Sequence, residues 1–149
     1  MVKIVNKNLF DTDAEVICQQ VNCKGVMENG INGQVKERYP AVYAEYKKVC
    51  EDADYDHKAL LGTVLNVPVS KKLTICSLFG QDNYIGSGFC FTDYKALRMC
   101  LEKVRDEHKT KRIAMPYRMS CSLAGGDWRI VEEIILDTLG ELDVTICRQ

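Results

Sequence analysis

Three loops of this chain carry residues whose types and spacing suit the capture of a small anion. The first lies within Gln19–Pro40, where an apolar run ends in Asn22 and a Gly-containing loop follows, with a helix-like segment opening near Gly30. A strand that feeds such a loop presents unpaired backbone N–H groups at a helix N-terminus, and the helix dipole adds favourable charge for a phosphate. Gly30 and Gly33 let backbone approach a ligand closely. Asn22 either meets a sugar hydroxyl or braces the loop, and bracing is the commoner role of asparagine in turns. The second loop, Ser77–Gly88, holds three glycines and offers Phe79 or Tyr84 to cover a base or ribose; Phe79 is equally well read as the last core residue of its strand. The third, Tyr117–Trp128, places small residues between a strand and a helix. Asp127 in it is a candidate acid catalyst, although its place just before a helix face favours an ordinary N-cap.

Other chemistries find little support. His57 and His108 are the only histidines and have no carboxylate or thiol partner at ligand spacing, so no metal site is expected. No Walker A loop, Gly-x-Ser-x-Gly elbow or His-Glu-x-x-His segment occurs, and no cofactor is expected. The 20 basic and 21 acidic residues nearly cancel, which argues against the broad basic face that duplex nucleic acid requires. The 8 cysteines include no Cys-x-x-Cys pair and lie mostly in apolar runs; they read as reduced, buried residues. With no signal-like apolar start and no run of about 20 apolar residues, the chain is expected to be cytoplasmic and free of membrane.

The elements that must position these loops follow from periodicity. Val2–Val5, Glu15–Val21, Gly62–Val69, Leu73–Phe79, Arg112–Met115 and Leu142–Cys147 read as strands. Pro68 suggests that the third of these is an edge or a strand end. Helical spacing appears at Ile31, Val35 and Tyr39, then after Pro40 at Tyr43, Tyr46 and Cys50, again at Tyr94, Leu97, Leu101 and Val104, and finally at Trp128, Val131, Ile135 and Leu139. Thr92 or Asp93 is available to cap the third of these helical stretches. A chain of 149 residues makes one domain, and the alternation predicts an α/β domain with helices on both faces of a mostly parallel sheet. Ligands in such sheets sit at the carboxyl ends of the strands, where the three loops fall.

Read together, the loops resemble the macrodomain family, whose members bind ADP-ribose. The likeness is to the branch that includes the terminal ADP-ribose protein glycohydrolase and small ADP-ribose 1″-phosphate phosphatases. Gln20–Met27 followed by Gly30-Ile31 is similar to that branch's first phosphate loop. Phe79-Gly-Gln81 with Thr92–Leu97 is similar to its central region, and Met115-Pro116 with Cys121–Trp128 to its second phosphate loop. The resemblance spans nearly the whole chain. It implies a three-layer α/β/α fold with a mixed, mostly parallel sheet. It also implies that Asn8 and Leu9 meet the adenine, and that Gly30, Ile31 and the loop Ser120, Cys121, Ser122, Leu123 and Ala124 hold the diphosphate. Asn22, Gln81 and the second loop would then approach the distal ribose, and Gln20, Glu28, Asn29, Phe79 and Met119 join the expected ligand-binding residues.

Departures from the pattern sharpen the reading. The family's N-terminal Gly-Asp-Leu or Gly-Asp-Ile is Lys7-Asn8-Leu9 here, so the adenine acceptor carries no charge. A neutral hydrogen bond is weaker than a charged one by about 1 kcal/mol, several-fold in affinity. Glu28 stands where a glycine is usual, and puts a carboxylate near the distal end, where it repels a terminal phosphate or bonds ribose hydroxyls. Leu78 or Phe79, and Ala124, stand where the glycohydrolase has its Lys nucleophile and its Asp, so the lysine-dependent mechanism is not supported. The resulting expectation is a monomeric module that binds ADP-ribose or a close derivative, with ADP-ribosylated protein or nucleic acid as possible partner. The alternative is a hydrolase removing a phosphate, acyl or ADP-ribosyl group from such derivatives, with Asp127, Asp93 or Glu28 orienting water. A third reading is a nucleotide binder selective for another signal nucleotide.

Overall fold

The computed structural model describes residues 1–84, 92–119, 121 and 125–149. Its strands are β1 (Val2–Asn6), β2 (Val16–Val21), β3 (Val64–Pro68), β4 (Thr74–Phe79), β5 (Ile113–Pro116) and β6 (Val144–Arg148). They form one six-stranded sheet in the order β1-β6-β5-β2-β4-β3. Every neighbouring pair is parallel except β3 and β4, which run antiparallel at one edge. The edge position explains Pro68, which lacks a backbone donor and ends β3.

The helices are α1 (Gly30–Arg38), α2 (Pro40–Asp52), α3 (His57–Leu60), α4 (Tyr94–His108) and α5 (Trp128–Leu139). Pro40 separates α1 from α2 because it opens α2 at its first turn, where its missing N–H is harmless. Asp93, rather than Thr92, caps α4 by accepting from the Ala96 N–H at 2.9 Å. Neither α3 nor a 3₁₀ turn at Leu9–Asp11 has enough residues to show a period.

Two cores sandwich the sheet. Val16 and Cys18 of β2 face α4 and α5, packing with Leu97, Leu101, Val131 and Ile135. Ile17 and Val21 point the other way, toward Val35 of α1, Val42 and Tyr46 of α2 and Leu60 of α3. This is the three-layer α/β/α arrangement with a mixed, mostly parallel sheet. The seven described cysteines are buried and form no disulfide with one another, and burial pushes Cys23 and Cys100 up to about 12. Among the described residues no helix is long and apolar enough to cross a membrane.

The topology also locates a crevice. From β2 the chain builds β3 and β4 on one side, then crosses to place β5 on the other. Open α/β sheets bind ligands where successive connections diverge in this way, beyond the carboxyl ends of the strands.

Candidate functional site

β2 is buried along its whole length, yet its second half carries the adjacent amides Gln19 and Gln20 just before Val21. Buried amides of this kind must be hydrogen-bonded, and adjacent strand residues face opposite sides. On the α1 side, Gln19 donates to the Ser77 hydroxyl at 3.1 Å and accepts from Asn32 at 2.7 Å. On the α4 side, Gln20 donates to Gln81 Oε1 at 2.8 Å and to Thr92 at 3.1 Å. Gln81 passes the chain on by donating to the Asn83 carbonyl at 2.7 Å. Asn32 also donates to the Gln20 carbonyl at 3.1 Å, so the first turn of α1 is fastened to the end of β2.

Asn22 organises the next loop. Its Oδ1 accepts from the Lys24 N–H at 2.9 Å and the Val26 N–H at 3.3 Å, and its Nδ2 donates to the Val26 carbonyl at 2.8 Å. The buried Tyr46 hydroxyl lies 2.7 Å from both the Asn22 carbonyl and its Oδ1. The bracing role expected of this asparagine is therefore what the structure displays. Burial pushes the Tyr46 phenol far above its usual range, so it stays neutral. The loop is also sewn to the one after β4: Cys23 N–H donates to the Asp82 carbonyl at 3.0 Å, and Lys24 pairs with Asp82 at 3.3 Å.

At the carboxyl ends of β2, β4 and β5 lies a cavity of about 290 Å³. Gln19, Gln20, Asn22 and Val26 line it from β2 and its loop, and Glu28 through Asn32 from the approach to α1. Gln81 and Tyr84 contribute from the segment after β4, and Pro116 through Met119 from the end of β5. Asn29 precedes α1 with extended backbone but makes no capping bond with its side chain. The first-turn N–H groups of α1 thus lack the usual side-chain acceptor. Gly30 takes the left-handed φ of 55° with open space around it, and Gly33 lets the Glu28 carbonyl pass where a Cβ would sit 2.5 Å from its oxygen.

Of the residues singled out from the sequence, Gln20, Asn22, Glu28, Asn29, Gly30, Ile31, Gln81 and Met119 come together on this cavity. Asn8, Leu9, Phe79 and Cys121 do not line it. Asn8 caps the 3₁₀ turn by accepting from Phe10 at 2.8 Å, while Leu9, Phe79 and Cys121 are buried in the cores. Ser120, Ser122, Leu123 and Ala124 lie outside the described residues. Asp127 caps α5, accepting from the Arg129 N–H at 2.9 Å, with the Arg129 guanidinium 3.3 Å from its other oxygen. Those two bonds to Arg129 hold its carboxyl below the usual carboxylate range. Gln19, Asn32, Tyr117 and Arg118 were not singled out as ligand contacts. Arg118 is exposed, lines the cavity and adopts a φ of 58°; nothing in a Tyr-Arg-Met run marks a left-handed residue in advance.

This fold is that of the macrodomains. The chain is 27% identical, over 95% of its length, to the DNA ADP-ribosyl glycohydrolase of Mycobacterium tuberculosis. It spans 40% of the length of that curated relative. Among solved structures it is similar to the macrodomain of Mycobacterium tuberculosis DarG, with a TM-score of 0.80, 24% identity, and coverage of 99% of this chain and 97% of that one. It is also similar to Thermosipho africanus DarTG in complex with ADP-ribose, with a TM-score of 0.80, 18% identity, and coverage of 99% and 41%. No family model matches the chain.

Proposed function

We propose that this chain binds ADP-ribose or a close derivative in the cavity beyond β2, β4 and β5. The observation that carries the reading is the N-terminus of α1. It is left without a side-chain cap, opens on that cavity and is fastened to β2 through Asn32, which suits the diphosphate of such a ligand. The likeness to a fold captured with ADP-ribose supports it. In this reading Gly30 and Ile31 contact the diphosphate, together with the loop 119–124. Gln20 and Gln81, whose amides are tied to each other, line the wall beside the distal ribose, and the adenine extends beyond the lining residues toward Asn8. The protein acts as a cytoplasmic monomer. Titration calorimetry with ADP-ribose, AMP and NAD tests this; absence of heat with every adenine diphosphoribose compound sinks it.

A second reading, a hydrolase, is favoured by the name of the curated relative. ADP-ribosylated DNA is then the first substrate to try, ahead of ADP-ribosylated protein and ADP-ribose 1″-phosphate. Asp127 is its weaker acid–base candidate, because its carboxylate is already committed to Arg129. Glu28 on the cavity is the stronger one. Release of ADP-ribose that is abolished by Glu28→Gln with the fold retained would favour the enzyme over the pure binder.

A further inference from the structure

Glu28 and Arg118 are the charged side chains among the described residues that line the cavity. They come from different loops, one leading into α1 and the other following β5, and both are exposed. Neither belongs to any ion pair between described residues, including one with each other. The cavity therefore presents one positive and one negative side chain with no direct ion pair between them, the Arg118 charge being felt elsewhere by Asp127, whose carboxyl is lowered first by Arg129 and to a smaller extent by Arg118.

Each charge bears on a ligand differently. Glu28 stands immediately before the uncapped Asn29 at the start of α1, where the helix dipole favours its own negative charge. Its carboxylate thus adds a repulsion for any anionic group beyond the one held at that helix end. Arg118 holds a left-handed backbone at φ 58°, a conformation that costs energy for a residue other than glycine and concentrates at ligand sites. No hydrogen bond of the guanidinium to a described residue offsets that cost.

We propose that the cavity sorts ligands by charge, with Arg118 anchoring a single anionic group and Glu28 rejecting ligands that carry a second. The proposal rests on the ADP-ribose reading and narrows it. The diphosphate is the anion that Arg118 engages, in the paired geometry a guanidinium offers to phosphate oxygens. The group beyond it is a free ribose or one joined to a neutral moiety such as a nucleobase. ADP-ribose 1″-phosphate is disfavoured.

The test measures affinity for ADP-ribose and ADP-ribose 1″-phosphate by calorimetry in the intact chain and in Glu28→Gln, Arg118→Asn and Arg118→Lys. Asparagine is chosen because it tolerates the left-handed backbone. The intact chain should prefer ADP-ribose by roughly fivefold or more, and Glu28→Gln should narrow that preference by strengthening 1″-phosphate binding. Arg118→Asn should weaken ADP-ribose by about tenfold with no loss of thermal stability, and Arg118→Lys should recover part of the loss. Equal affinity for both ligands in the intact chain would overturn the proposal. So would a preference that survives Glu28→Gln, or full affinity in Arg118→Asn. Failure of the intact chain to bind either ligand overturns the ADP-ribose reading itself, and this proposal with it.

Discussion

Tyr46 reaches out of α2 to hold the backbone and side chain of Asn22 from below the cavity floor. Its hydroxyl is buried, so deleting it takes from the Asn22 carbonyl a donor that water does not readily replace. Tyr46→Phe should cost about 1–2 kcal/mol in urea unfolding, and it should weaken ligand binding because the 22–26 loop loses its anchor. At the same scale, Asp127 acts on α5 through its charge and its cap. Its folded carboxyl titrates below the unfolded one, so its stabilisation is present above the ordinary carboxylate range and disappears as pH falls through that range. Asp127→Ala should therefore melt earlier than the parent at pH 7, and the gap between the two should narrow as pH falls through the carboxylate range and below it.

At the scale of elements, the junction of the first loop with α1 depends on Gly33. A methyl there would sit 2.5 Å from the Glu28 carbonyl oxygen. That contact is with backbone, which cannot swing aside. Alanine gains roughly 1 kcal/mol of helix propensity over glycine, but overpacking against a fixed carbonyl costs about 1–3 kcal/mol. Gly33→Ala should thus be net destabilising in thermal melts, and it should displace Glu28 enough to change ligand affinity. A neutral or stabilising result would mean that the turn before α1 yields easily. The amides of β2 act on the same scale: Gln19 and Gln20 tie this strand to α1 on one face and to the segment at Gln81 and Thr92 on the other.

Across the whole molecule, the parallel strands bring their carboxyl ends, from distant parts of the sequence, to one end of the sheet, and the two cores on its faces bury the described thiols. Desolvation raises Cys23 and Cys100 to about 12, and reactivity needs the thiolate. An aromatic disulfide reagent at pH 8 should leave the described cysteines of the folded protein unmodified and titrate them on unfolding in urea. Rapid modification of any of them in the native state would show that a core opens locally. Ligand binding should protect in the same way. A saturating adenine diphosphoribose at 100 times its dissociation constant stabilises the fold by about 2.7 kcal/mol.

Much of this architecture was legible in the residues themselves. The strand segments, the helix faces at Tyr94 to Val104 and at Trp128 to Leu139, the break at Pro40 and the edge character of Pro68 all follow from period, branching and the missing proline donor. These are local properties, and a single chain carries them in its order of side chains. The likeness of three loops in sequence also pointed to a macrodomain fold before any coordinates. Pairings were not local. That Gln19 and Gln20 would bond Asn32, Ser77, Gln81 and Thr92, that Tyr46 would reach Asn22, and that Arg118 would take a left-handed backbone on the cavity wall depends on contacts between segments far apart in sequence. Sequence alone determined the six strands, the four longer helices and the end of the sheet at which a ligand should sit. The tertiary structure decided which polar groups are consumed in bracing the site and which, Glu28 and Arg118 above all, are left facing the cavity, because a hydrogen bond taken up by the fold is one the ligand no longer finds.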